Sequence, residues 1–156
     1  MVKIKTKNFG EIEIEEKQKI AFPQGILGFE NQKEYYLIIK EDSPFLWLQC
    51  SSDENLAFVL INPYLFMPDY NLKIGQKDWD VIDVKPEDDY LVFAIVTIPA
   101  NPEEMTANLQ GPVIINPKKR WGVQAISLDD NYSIKHLILP ALKKVLSQND
   151  GTQAGE

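Results

Sequence analysis

Short apolar runs, each cut off by a proline, a glycine or a polar cluster, dominate the order of this chain. Tyr35–Ile39, Phe45–Gln49, Leu56–Ile61, Tyr90–Ile98, Val113–Ile115 and Gly122–Leu128 are rich in Val, Ile, Leu, Phe and Tyr. Such runs are too short for core helices and have the composition of strands. Pro44, Pro63, Pro68, Pro86, Pro99, Pro102, Pro112 and Pro117 fall between them or at their ends, where a missing N–H costs little. Lys3–Lys7 and Glu11–Glu15 alternate apolar or β-branched with charged residues around Asn8-Phe9-Gly10, which predicts a hairpin with one buried face. Many short strands with turn signals between them predict a mainly β chain: a small, antiparallel-rich, β-barrel-like single domain. One short C-terminal helix is expected, with Pro140 in its first turn and Leu142, Val145 and Leu146 at helical spacing. Residues 1–148 form the expected domain, and the polar, glycine-containing stretch 149–156 is expected to be a disordered tail.

At 156 residues and 44% hydrophobic content, the chain has the material for one core. Its net charge of −7 opposes nonspecific attraction to nucleic acid or to anionic membranes and suits a basic or mixed-charge protein partner. The opening Met1-Val2-Lys3-Ile4-Lys5 lacks the apolar core of a signal peptide, and no apolar run reaches membrane-spanning length. A cytoplasmic protein is therefore expected. Cys50 is the only cysteine, so no intrachain disulfide forms; it reads as a small apolar filler.

Met105–Asn116 mixes carboxamides with apolar residues and holds no group that titrates. Carboxamides donate and accept without charge, so this segment suits recognition and not acid–base work. Its other reading is a loop entering a buried strand, with Gly111 and Pro112 setting the backbone. Pro63–Tyr70 crowds bulky side chains between prolines, part expected beneath the barrel and part toward a partner. Asn108 and Leu109 are the expected centre of a partner-contact patch, with Met105, Tyr70, Asp69 and Gln124 as neighbours.

Chemistry-bearing constellations are sparse. His136 is the only histidine, and neither Ser133 nor Asp129 makes a convincing catalytic partner for it. Asp78, Asp80 and Asp83, and then Glu87, Asp88 and Asp89, read as solvated loop charges, since their spacing does not give a calcium loop. Lys118-Lys119-Arg120 is too small a basic run to hold an RNA backbone and reads as a strand-to-strand turn. No catalytic, metal or cofactor-binding residue is assigned.

An ordered series of short motifs carries more. Phe22-Pro23-Gln24-Gly25-Ile26-Leu27-Gly28-Phe29-Glu30 comes first, read as a tight turn at Gly25 and Gly28 after a strand ending at Pro23, with Phe22, Ile26, Leu27 and Phe29 in the adjoining core. Pro44-Phe45 with Leu48-Gln49 comes next, then Asn62-Pro63 and Tyr70. Val96-Thr97-Ile98-Pro99 follows, then Met105-Thr106-Ala107-Asn108-Leu109, Gly111-Pro112 and Ile115-Asn116, and finally Gly122, Gln124 and Tyr132. Together they resemble the flagellar assembly factor family, FliW, from about Ile4 to His136. Cys50 stands where serine is more usual, and the tail after Gln148 lies outside the resemblance.

The resemblance implies a cytoplasmic, non-enzymatic, barrel-like protein without cofactor. It implies binding to the dimeric RNA-binding repressor CsrA, at a surface away from the RNA site, so that translation of flagellin messenger RNA is released. It also implies binding to flagellin in a partner switch, with no direct contact to nucleic acid or membrane. An exposed barrel edge would be one place to receive a strand or helix end of either partner. Two other readings stay open on the residues alone: an oligonucleotide-binding barrel, which needs aromatics beside a basic groove, and a small hydrolase, which needs converging carboxylates.

Overall fold

The computed structural model describes residues 1–154, with side chains described through 147. Seven strands close into a ring: β3 (Lys19–Ala21), β4 (Glu34–Ile39), β5 (Phe45–Cys50), β6 (Ala57–Ile61), β7 (Leu91–Thr97), β8 (Thr106–Asn116) and β9 (Trp121–Gln124). Neighbours from β3 through β9 pair antiparallel, and the ring is sealed by a parallel contact of Ala21 with Trp121, where Ala21 N donates to Arg120 O at 2.9 Å. A sealed ring leaves no open edge for another strand. The exposed edge expected above is accordingly confined to elements outside the ring. These are the hairpin of β1 (Val2–Thr6) with β2 (Gly10–Ile14), and the two-residue β10 (His136–Leu137), which pairs with the start of β8.

The strands read as nearly continuous apolar runs because both of their faces are covered. Inside the ring, Phe22, Tyr35, Leu37, Leu48, Leu60, Phe93, Val113 and Ile115 form the central core. Outside it, three appendages bury the opposite faces. The β1–β2 hairpin sets Ile4, Phe9, Ile12 and Ile14 on Tyr36, Ile38 and Trp47. The segment from Pro63 to Leu72, together with the helix α2 (Ile138–Ala154), covers Ile61, Val92, Val96, Ala107 and Leu109. The third, around α1 (Gln76–Val81), sets Ile74, Ile82 and Val84 on Ile114 and Val123. Burying roughly 25 cal/mol for each Å2 of apolar surface, these layers supply the main stabilisation of the fold.

The hairpin, β4 to β7 and the C-terminal helix lie where the sequence placed them, and Pro63–Tyr70 divides as expected into buried Phe66 and Tyr70 and exposed Tyr64 and Leu65. Three expectations need correction. Val113–Ile115 is only the end of an eleven-residue strand, Thr106–Asn116. The run Gly122–Leu128 leaves the ladder after Gln124, the strand expected to end at Pro23 is β3 and ends at Ala21, and α1 and β10 had no counterpart in the sequence reading. The tail expected over 149–156 falls where side chains, and for 155–156 the backbone also, lie outside the described residues.

Candidate partner-binding surface

Strand β8 sets four residues, Leu109–Pro112, against the single residue Ala94 of β7, because Phe93 pairs with Val113 while Ile95 pairs with Asn108. This is an enlarged β-bulge, which strips backbone groups from the ladder and obliges them to find other partners. Every neighbour contributes. Asn108 Oδ1 accepts from Gln110 N at 3.0 Å and Gly111 N at 2.8 Å. Leu109 N donates to Ser133 O at 3.0 Å, and Leu109 O accepts from the Tyr70 hydroxyl at 2.7 Å. Gln124 Nε2 donates to Gly111 O, while Ala125 N and Ser127 N donate to Pro112 O and Gln110 O. A bulge so tied is part of the fold and not a mobile loop.

Strand alternation decides which way the residues that enter the bulge face. Leu109 turns outward and is fully buried under the α2 side, packed with Met105 and Tyr70. Burial pushes the Tyr70 hydroxyl well above the usual tyrosine range, in keeping with a donor committed to Leu109 O. Removing that hydroxyl in Tyr70→Phe leaves the Leu109 carbonyl buried without its side-chain donor. The expected loss of stability is about 1–2 kcal/mol, read as a lower urea midpoint at unchanged slope.

Asn108 and Gln124 face the other way. They pair with Ile95 and Val113, whose side chains belong to the ring interior, and they reach the mouth at which the β3–β4 and β7–β8 connections also lie. A Cβ on Gly111 would stand 2.9 Å from Asn108 Nδ2 and 3.0 Å from Gln124 Nε2, so the two carboxamides flank a bare glycine floor. Around this floor stands an apolar rim. Ala125 and Ser127 turn into the protein, and the intervening and following Ile126 and Leu128 are 64% and 66% exposed. Leu27, 71% exposed, is fixed at the floor by its N–H, which donates to Gln124 Oε1 at 3.0 Å. Phe29 stands edge-on to Phe58 with ring centroids 5.3 Å apart, and Leu137 pairs with Thr106, two residues before Asn108. Exposed aliphatics grouped around uncharged hydrogen-bonding groups are the composition of a protein-contact surface. Nothing in this group titrates.

The expected patch is therefore divided between the two faces of β8. Asn108 and Gln124 share the floor; Leu109, Met105 and Tyr70 are buried in the wall behind it. Asp69 is exposed on the outer side, beside a 510 Å3 cleft it shares with Phe66, Met67, His136 and Lys144. Leu27 and Phe29, expected in the core, are exposed instead, because the turn at Gly25 and Gly28 carries them to the rim. The sequence reading missed Ile126 and Leu128. Their signal was present in Ala125-Ile126-Ser127-Leu128, where large apolar residues alternate with small ones that bury themselves.

The other candidates have structural duties. Asn116 is buried and caps the turn after β8, its Nδ2 donating to Ile82 O and its Oδ1 accepting from Lys118 N. Lys119 pairs with Asp83, which holds that carboxyl below the usual carboxylate range, and Arg120 Nη1 donates to Glu16 O. Asp78 and Asp80 lie on α1, and Asp88 Oδ2 accepts from Lys85 N. His136 stacks on Phe66, and among the described residues no three His, Cys, Asp or Glu side chains converge as metal ligands. Among them, too, no helix is long and apolar enough to cross a membrane.

Comparison with known proteins gives one consistent answer. A family model described as FliW protein matches residues 3–138. A flagellar assembly factor FliW of Leptospira biflexa is 46% identical over 149 residues, covering 94% of this chain and 97% of that protein. One of Alkaliphilus metalliredigens is 41% identical, covering 96% and 93%. A crystal structure of the flagellar assembly factor FliW superposes with a TM-score of 0.82 at 39% identity, over 89% of this chain and 98% of that one.

Proposed function

Because the chain belongs to the FliW family, we propose that it is a non-enzymatic flagellar assembly factor of the cytoplasm that binds a CsrA-type repressor dimer and antagonises it allosterically, relieving repression of flagellin messenger RNA. Flagellin is its second ligand, in a partner switch. The observation that carries this reading to a place on the molecule is the rim of Leu27, Ile126 and Leu128, all more than 60% exposed, around the Asn108 and Gln124 carboxamides. Such a surface gains affinity by covering its aliphatics and selectivity by offering hydrogen bonds that only a matched backbone satisfies. Neither CsrA nor flagellin has to meet a charge there.

The other readings lack support of this kind. A nucleic-acid barrel needs a free basic groove, whereas Lys119 and Arg120 are engaged within the chain. A hydrolase needs free carboxylates that converge on one pocket; Asp83, Glu87, Asp88 and Asp89 line one cleft, but there Asp83 is paired with Lys119 and Asp88 accepts from Lys85 N.

Calorimetric titration with the CsrA dimer, repeated after saturation with unpolymerised flagellin, tests the proposal. Tight binding of CsrA that flagellin abolishes is the expected result, through shared or coupled sites; folded protein that binds neither would overturn it. Asn108→Asp sharpens the test. The new carboxylate keeps the oxygen that accepts from Gln110 N and Gly111 N, so the melting temperature should hardly change. Covering a charge at the floor should weaken CsrA binding by about tenfold or more. A large fall in melting temperature would instead assign Asn108 to the fold alone.

A further inference from the structure

Asn108 and Gln124 stand on neighbouring strands at the floor, and the backbone around them fixes which end of each carboxamide is spare. Asn108 Oδ1 accepts from Gln110 N at 3.0 Å and from Gly111 N at 2.8 Å, which occupies both of its lone pairs. Gln124 Oε1 is turned to Leu27 N, 3.0 Å away. Reversing either amide would set N–H against N–H. The two nitrogens are therefore the ends held toward each other: a Cβ on Gly111 would stand 2.9 Å from Asn108 Nδ2 and 3.0 Å from Gln124 Nε2. Gln124 Nε2 spends one hydrogen on Gly111 O at 3.2 Å and keeps the other. Asn108 Nδ2 is half-covered, is not sealed from solvent, and finds no acceptor among the described residues. The third carboxamide oxygen of the bulge, Gln110 Oε1, is buried and out of reach of a visiting chain.

Two converging donors suit an atom that accepts twice and donates nothing. A carbonyl oxygen does so, whereas a hydroxyl brings a hydrogen of its own that must be satisfied. A carboxylate accepts too, but nothing at the floor titrates, so covering it with the aliphatic rim would leave its charge unpaired. The sealed ring offers no edge to a strand, so the carbonyl arrives singly and not as part of a ladder. We propose that the floor is a carbonyl receptor, in which Asn108 Nδ2 and Gln124 Nε2 donate to one main-chain carbonyl of the partner, of the kind that the last turn of a helix leaves unpaired. Leu27, Ile126 and Leu128 cover the side chains around that carbonyl. Asn108 and Gln124 thereby set the specificity of the docking surface, a role that rests on that surface receiving CsrA as proposed above.

The test titrates the full chain, labelled with 15N, with unlabelled CsrA dimer. The side-chain NH2 signals of Asn108 and Gln124 are assigned by Asn108→Asp and Gln124→Glu. In the complex one proton of each NH2 should move downfield and exchange with water about tenfold or more slowly than in the free chain, as donors engaged by a fixed acceptor do. Calorimetry on Asn108→Asp gives a second readout. That variant keeps both acceptor bonds to Gln110 N and Gly111 N and turns the spare donor into an acceptor, so CsrA should bind it about tenfold or more less tightly at an unchanged melting temperature. A floor that instead accepted from a partner N–H would bind the variant as tightly as the native chain or more so. That result, or CsrA bound to the native chain with the Asn108 NH2 signal unmoved, would overturn the carbonyl receptor alone. Folded native chain that binds no CsrA would overturn the docking surface and the receptor with it.

Discussion

A Phe22→Ala chain is expected to lose about 3–5 kcal/mol of stability, the range for deleting a fully buried aromatic ring from a core that cannot close around the gap. Phe22 is completely buried, and its ring meets Tyr35 edge to face at 5.5 Å. The ring also lies directly against the Gly122 backbone: a Cβ added there would stand 2.5 Å from Phe22 Cζ. Glycine has no side chain with which to fill the hole. Nor can the Phe22 backbone sink inward, since its N–H donates to Lys33 O at 2.7 Å and its carbonyl accepts from Gly25 N at 2.8 Å. The loss is read as a fall in urea midpoint at constant slope. A loss below about 1 kcal/mol would mean that the site repacks, contrary to the packing described. Because Phe22 precedes the loop that presents Leu27 and Phe29, the same variant should also bind its partners less tightly.

The second large effect separates two glycines that look alike in the sequence. Gly25 and Gly28 both have positive φ, +68° and +88°. At Gly25 a methyl group would stand 2.6 Å from the Glu30 Cα, backbone that has no side-chain freedom with which to yield. At Gly28 nothing lies within 4 Å. Gly25→Ala should therefore cost about 3 kcal/mol or more, combining left-handed strain with a backbone clash. Gly28→Ala should cost only about 1 kcal/mol, the strain alone. Paired urea melts decide it, and equal losses would contradict the tight turn that fixes Leu27 at the floor.

The ring strands were legible wherever two covered faces made a long apolar run, as in Tyr35–Ile39 and Leu91–Thr97. They were not legible where pairing, and not composition, makes the strand. His136–Leu137 is a strand because β8 lies beside it, and the six residues of α1 show no apolar period. At Gly111-Pro112 the usual turn signal marks a bulge inside a strand. The chemistry of Met105–Asn116 could be read from its residue types, which include nothing that titrates. Its geometry could not, because the alternation that sends Leu109 into the core and turns Asn108 to the mouth follows only once the segment is known to be a strand, and four residues opposite one then reset it before Val113.

The most direct test of the proposed docking surface is calorimetric titration of the CsrA dimer into an Ile126→Asp/Leu128→Asp variant, beside the native chain and Ile39→Asp. Ile39 is 60% exposed, like the rim residues, but ends β4 at the opposite mouth of the barrel. Binding about thirtyfold or more weaker in the double variant, with Ile39→Asp close to native, is the expected result for residues at the centre of an interface. Native affinity in the double variant, or an equal loss in Ile39→Asp, would contradict the assignment of the carboxamide floor and its rim as the surface that receives CsrA.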